Sequence, residues 1–320
     1  MILVTGASGF LGSHVVAYLQ ACNFDVMPVY FSPNVIIKKN YWSADLSRPD
    51  HVAILAQQEK TPTVIMHLAG HIEIALQPHH ENPMLSPVPG KENISLLYSA
   101  NVQATANLID YALRKNIRKF IFASSQSVYG MPAEKLLQEN TLCKPLEYYA
   151  ATKLACEQML EVAALQAIDI TVLRFPGLYG ECRFSGLVHN LCISALQKNE
   201  ITITASYPLP LDVIHIEDVV LAIYKTLAVS HTGFLRLNIA TGEPCSFDIL
   251  ASRISRLVKG CRVTYSSIQQ PIVCMDPTKA HELLGWVAVS PDHRLQNMLE
   301  RLQYAQKNIP DRPKSWLQAS

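Results

Sequence analysis

Charge is scarce in this chain. Charged residues make up 17% of the 320 positions and sum to a net +1. No basic field points to nucleic acid and no acidic excess marks a solvating tail, so a small molecule is the expected partner. Long apolar runs are missing as well; none approaches the roughly 20 residues of a membrane span. Met1 leads directly into Ile2-Leu3-Val4, with neither a basic stretch nor a cleavage site, so no secretory signal is expected. The eight cysteines, at 22, 143, 156, 182, 192, 245, 261 and 274, form no C-x-x-C pair and match no zinc spacing. They are read as reduced thiols of a cytoplasmic protein. His79-His80-Glu81 do not converge on one ion without further ligands, and no metal is expected.

Apolar residues are plentiful at 49%, ample for a core. The first half alternates short apolar runs (2–4, 26–30, 64–68, 120–123, 170–175) with helix-length stretches (10–21, 50–58, 94–115, 149–167). Strands that are apolar throughout, alternating with helices, predict an α/β fold with a doubly wound parallel sheet. The second half is less regular. Helices are expected near 185–197, 217–228 and 247–258, a strand at 235–239, and fraying over the last dozen residues. The expected division is a dinucleotide-binding part over 1–175, to which 212–235 returns, and a smaller C-terminal substrate-binding α/β part over 176–211 and 236–320. Residues 77–90 carry prolines at 78, 83, 87 and 89, which excludes helix and central strand. That segment reads as a surface loop or a lid.

Thr5 to Gly12 has the spacing G-x-x-G-x-x-G directly between the first strand and an amphipathic helix. Gly6 permits the tight turn, Gly9 lets backbone approach a pyrophosphate, and Gly12 lets the helix pack closely. The helix start offers free N–H groups to phosphate. Ser8, Phe10 and Leu11 complete the loop. The end of the second strand, Val29-Tyr30-Phe31-Ser32, carries neither the acid that selects NAD nor an arginine for NADP. Asp45, beside Leu46, reads either as an adenine contact or as an ordinary acid at a helix start.

Tyr149 and Lys153 lie one helical turn apart, and Ser124-Ser125-Gln126-Ser127 closes the run at 120–123. Both groups fall at the ligand edge of the sheet. An ammonium beside a phenol favours phenolate and lowers its pKa from about 10. Tyr149 then exchanges a proton with a substrate hydroxyl or ketone while hydride moves to or from a nicotinamide. Ser125 holds the same oxygen and Lys153 the nicotinamide ribose.

With these residues on the page, the chain resembles an extended short-chain dehydrogenase/reductase of the NAD-dependent epimerase/dehydratase family. Besides the glycine loop and the Tyr149/Lys153 pair, the resemblance rests on His67 to Gly70, Asn101 to Leu108, Ala123 to Gly130, Leu173 to Gly180, Asp212 to Asp218, Asn238 to Gly242 and Leu284-Gly285-Trp286. It implies a Rossmann-type fold and NAD or NADP, NAD being favoured. It implies cofactor contacts at Leu68, Ala69, Gly70, Ser124, Tyr149, Lys153 and Pro176, and a homodimer built on the helices near 94–115 and 149–167.

Two departures narrow the activity that the resemblance implies. The family's 4,6-dehydratases carry an acid just after the active-site residue, where this chain has Gln126 and Ser127, so a dehydratase is disfavoured. Nucleotide-sugar members carry an arginine where this chain has Leu211, and their second arginine is not evident in 269–274. Arg183 is a candidate replacement on the substrate, alongside Ser125, Gln126 and Tyr149. The resemblance still implies an NAD(P)-dependent oxidoreductase or epimerase of a nucleotide sugar, while the missing arginines weigh against that substrate. The alternatives are an NADPH-dependent carbonyl reductase and a dinucleotide sensor without turnover.

Overall fold

The computed structural model describes residues 1–72, 75–76, 85–86, 93–180, 183, 186–203, 212–265 and 272–308. The proline-rich stretch 77–90 apart from 85–86, with His79, His80 and Glu81, as well as Cys182, the loop at 206–210, Leu211, residues 269–271 and the last dozen positions, lie outside them.

An eight-stranded sheet organises the chain. Its strands are β1 (Ile2–Thr5), β2 (Val26–Tyr30), β3 (Ile36–Ile37), β4 (Trp42–Ser43), β5 (Val64–His67), β6 (Lys119–Ser125), β7 (Asp169–Phe175) and β8 (Phe234–Asn238). They lie side by side in the order β8-β7-β6-β5-β1-β2-β4-β3. Every neighbouring pair is parallel except β3 with β4. The central strands are buried along nearly their whole length, as strands covered on both faces must be. After β1 the chain moves one way to β2 and β4, and then returns to the other side of β1 at β5. This reversal opens a crevice at the strand ends, where ligands of doubly wound sheets bind.

The helices divide between the faces. α2 (Pro49–Ala56), α3 (Ile94–Leu97), α4 (Ala104–Arg114) and α5 (Tyr148–Ala164) cover one face, where Leu55, Leu108, Phe120 and Leu160 share a core. α1 (Phe10–Ala21), α7 (Ile216–Thr226) and α9 (Thr278–Leu284) cover the other, where Leu19, Ile121, Ile223 and Trp286 meet. A third core gathers α6 (Leu187–Lys198), α8 (Phe247–Leu257) and α10 (Pro291–Asn308) around Cys192, Leu250 and Leu295. Here Glu200–Ile203 pairs with Arg262–Tyr265 in a separate two-stranded sheet.

The first-half elements lie within a few residues of their expected positions. The second half holds elements that periodicity does not announce: the strand pair Gly177–Tyr179 with Val213–His215, the two-stranded sheet just described, α9 and α10. One departure bears on the site. The helix expected over 94–115 is interrupted by a π-helical segment, Tyr98–Gln103, between α3 and α4. Such single insertions recur at functional sites. No helix among the described residues is long and apolar enough to cross a membrane, and the seven described cysteines are free.

Candidate active site

The glycine loop is shaped by missing side-chain atoms. Gly6 has φ +70°, and a Cβ there would stand 2.7 Å from the Ala69 backbone. A Cβ on Gly12 would stand 2.1 Å from the Gly6 carbonyl oxygen. Gly12 therefore lets α1 start against the turn itself, a closer constraint than the helix-on-sheet contact expected of it. A cavity of about 450 Å³ opens above this loop, between the ends of β1, β2 and β5. Gly6, Ser8, Gly9, Asp45, Leu46, Leu68, Ala69 and Gly70 line it, so eight of the expected cofactor residues surround one space. Phe10 and Leu11 pack onto the core beneath α1, and Pro176 is buried at the end of β7. The Asp45 carboxylate accepts from Ser47 N (3.0 Å) and Ser47 Oγ (2.6 Å), so it shapes its own turn while facing the cavity. At the end of β2, Tyr30 and Phe31 line the wall, and neither they nor Ser32 is an acid.

Gly70 joins the cavity to the second group of residues. Lys153 Nζ lies where a Gly70 Cβ would come within 2.9 Å of it. Lys153 is buried and donates to the Ala123 carbonyl (2.9 Å) at the end of β6. Its ammonium stands 6.0 Å from the Tyr149 ring centroid and 4.8 Å from that of Phe122. Burial lowers its pKa, opposed by Cys156 and Glu157. Ser125 hydrogen-bonds the Tyr149 side chain, and its hydroxyl also accepts from Ser127 N (3.2 Å). Ser125, Tyr149 and Lys153 thus meet at one strand end. Side chains alternate along a strand, so Ser124 faces elsewhere and gives its hydroxyl to Glu157. That hydroxyl's proton is thus given to Glu157 and not to a cofactor. Gln126 is buried at the start of the 3₁₀ turn Gln126–Tyr129.

The electrostatics correct one expectation. Burial pushes the Tyr149 phenol up to about 12, and the Ser125 hydrogen bond is what opposes it. The Lys153 ammonium, turned toward the Ala123 carbonyl, does not produce the lowering that the i, i+4 spacing predicts. A phenol out of water loses more from desolvation of its charged form than the neighbouring cation restores.

Two features escape the pattern of Tyr, Lys and Ser. Asn101 sits in the π segment and brackets the loop after β5. Its Oδ1 accepts from His71 N (2.7 Å), and its Nδ2 donates to the His71 carbonyl (3.0 Å) and to Thr152 Oγ1 (2.9 Å). His67, fully buried at the end of β5, links the glycine turn to this segment. Ala69 N donates to Thr5 Oγ1 (3.2 Å), and Thr5 Oγ1 lies 2.7 Å from His67 Nδ1. His67 Nε2 lies 3.1 Å from Thr105 Oγ1, which donates to the Asn101 carbonyl (2.6 Å). Since the Thr105 hydroxyl proton is given to Asn101, His67 carries its own proton on Nε2 and accepts at Nδ1. Burial holds this imidazole neutral down to about pH 3, with the Lys153 charge acting in the same direction.

Arg183 rests its guanidinium 5.4 Å from the Phe10 ring centroid, donates to the Leu178 carbonyl, and has its pKa lowered by burial. That places a cation beside the first residue of α1.

A family model for the NAD dependent epimerase/dehydratase family matches residues 2–240. The chain belongs to that family. Among curated proteins, an uncharacterized UDP-glucose epimerase of Bacillus subtilis is 30% identical over 77% of this chain and 78% of its own length. The human dTDP-D-glucose 4,6-dehydratase is 26% identical over 81% of this chain and 74% of its own. Among solved structures, MoeE5 in complex with UDP-glucuronic acid and NAD superposes with a TM-score of 0.75 at 27% identity, over 95% of this chain and 99% of that one. Membership accounts for the parallel sheet and the glycine turn, while relatives of both kinds leave epimerase against dehydratase to be argued from the site.

Proposed function

We propose that this member of the family is an NAD-dependent epimerase of a nucleotide sugar. The observation that carries the reading is the meeting of Ser125, Tyr149 and Lys153 beside Gly70, which also walls the cavity above the glycine loop. The glycine loop and cavity fit a dinucleotide, since any Cβ at Gly6 or Gly12 would fill the space taken by backbone. The resemblance to MoeE5 with NAD and a UDP-sugar favours NAD and that substrate class.

In this reading residues 1–175 with 212–235 hold the dinucleotide, and 176–211 with 236–320 bind the sugar nucleotide. A bound nicotinamide would supply hydride acceptance and return. Ser125 holds the reacting oxygen of the sugar by its hydroxyl. Tyr149 accepts the proton of that hydroxyl as a ketone forms and donates it back when the ketone is reduced on its other face. Burial raises the phenol pKa to about 12, so accepting that proton requires positive charge nearby to favour the phenolate. Lys153 would supply that charge together with the positive charge of a bound oxidised nicotinamide. Water loss needs an acid at the strand end, and the amide of Gln126 cannot serve, which argues against a dehydratase. Arg183, beside Phe10, is proposed to meet the diphosphate of the substrate.

Incubating the purified protein with NAD and a panel of nucleotide sugars, with products separated by chromatography, tests the reading. Interconversion of two epimers without net NADH release is expected. No conversion across the panel sinks it. The missing carboxylate at the end of β2 favours a second reading, a reductase consuming NADPH on a ketone outside the nucleotide sugars. Steady NADPH oxidation with no epimer formed would select it. A sensor without turnover would keep its function in Tyr149→Phe.

A further inference from the structure

Glu157 follows Lys153 by one helical turn on the buried face of α5 and is itself fully buried. Its Oε1 accepts from Ser124 Oγ (2.5 Å) and Arg174 Nε (3.0 Å). Its Oε2 accepts from Arg174 Nη2 (2.7 Å) and Arg236 Nε (3.0 Å). The Arg174 guanidinium stacks 4.7 Å from the Tyr129 ring centroid, and the Tyr129 hydroxyl donates to Asn238 Oδ1 (2.7 Å). Ser124, Arg174 and Asn238 occupy one row across β6, β7 and β8.

A carboxylate buried between two guanidiniums is a poor way to gain stability, because apolar residues of the same volume often serve as well or better. Geometry supplies another reason for its presence. α5 presents Tyr149, Lys153 and Glu157 at intervals of four, and each docks on the end of β6. Glu157 takes the Ser124 hydroxyl, Lys153 takes the Ala123 carbonyl, and Tyr149 takes Ser125. Glu157 is in addition tied to further strands, through Arg174 on β7 and Arg236 on β8. Since neighbouring residues of a strand face opposite ways, a slip of one residue between helix and strand would part Tyr149 from Ser125.

We propose that Glu157 is a positioning residue: clamped by Arg174 and Arg236, it fixes the register of α5 on β6 and thereby sets where the Tyr149 hydroxyl and the Lys153 ammonium stand relative to Ser125. The proposal rests on the reading of those three as the active site. Glu157 also supports the charge on Lys153, which faces Tyr149 and Cys156 on its own helix and neutral His67 on β5.

Two variants test it, Ser124→Ala, which removes one hydrogen bond and leaves the ion pairs intact, and Glu157→Gln. In each, turnover of the nucleotide sugar should fall about tenfold or more, the scale of a sub-ångström misplacement. The dissociation constant for NADH, read by fluorescence, should stay within about threefold, since the glycine loop is untouched. Competitive acetylation of Lys153, read by mass spectrometry across pH, should show its titration moved to lower pH in Glu157→Gln. Folded variants with wild-type turnover and an unmoved Lys153 titration would reduce Glu157 to a structural ion pair and overturn the proposal. If Glu157→Gln does not fold, turnover of Ser124→Ala decides. If the wild type converts no nucleotide sugar, the epimerase reading falls, while the Lys153 titration still tests the clamp.

Discussion

At the β1 end of the ligand edge the chain makes room by leaving side chains out, whereas at the β6 end it drives charged side chains into the interior. Around Gly6 and Gly12 the backbone packs so closely that a single carbon would collide. Among the described residues the cavity wall there carries Ser8, Asp45 and His71 but no lysine or arginine. Around Ser125 the interior holds Lys153, Glu157 and Arg174. Backbone amides recognise phosphate by geometry and need only space. Proton transfer needs groups whose charge is strengthened by exclusion from water. The first end should therefore fail when atoms are added, and the second when one functional group is removed.

The sharpest test of the second half of that contrast is Tyr149→Phe, which deletes one oxygen. Turnover should fall on the order of 10³-fold, the middle of the range for a general acid–base group. NADH titration should remain near wild type. Loss of both together would mean that the ring, not the hydroxyl, is what matters. The reverse pattern is expected at the first end. In Gly12→Ala the new carbon meets the Gly6 carbonyl, and overpacking of that kind costs about 2–3 kcal/mol. Thermal denaturation should show the loss, and NADH affinity should fall with it. A variant of unchanged stability and affinity would show that the turn has freedom to move.

His67 lies between the two ends and offers a test by pH. Its folded pKa of about 3 lies below the unfolded value near 6.5. The unfolded chain therefore takes up a proton that the folded chain refuses, and stability present above pH 6.5 is lost as pH falls toward 3. From pH 7 to pH 4 this contributes about 3 kcal/mol of lost stability. Urea titrations of His67→Gln should show a lower stability at pH 7 and a gentler decline in acid. Parallel curves for variant and wild type would remove His67 from the account. The smallest effect is expected at Arg183→Ala, where the KM for the nucleotide sugar should rise about tenfold with little change in turnover, the worth of one charge-assisted contact. An unchanged KM would leave Arg183 to its contacts with Phe10 and Leu178.

Much of the sheet was legible because its signals are local. Ile2–Thr5, Val26–Tyr30 and Val64–His67 are short apolar runs bounded by turn residues, and α1 begins directly after the second glycine of the spacing, Gly9. The second half was harder to read. Gly177–Tyr179 and Val213–His215 are three residues each and become strands only by pairing with one another across the chain. The π segment was equally hidden. Residues 94–115 have helical periodicity throughout, and the extra residue is absorbed only because Thr105, Cys156 and the His71 backbone take up the polar groups of Asn101.

Sequence alone determined that a glycine turn links the first strand to the first helix and that Tyr149 and Lys153 share one helix face, because both follow from backbone geometry over a few residues. Tertiary structure alone decided the rest: which strand ends border the cavity, that Ser124 serves Glu157 while Ser125 serves Tyr149, and that the phenol stands near 12 rather than below 10. A pKa sums desolvation and charge from every element packed around the group, and no spacing along the chain records that sum.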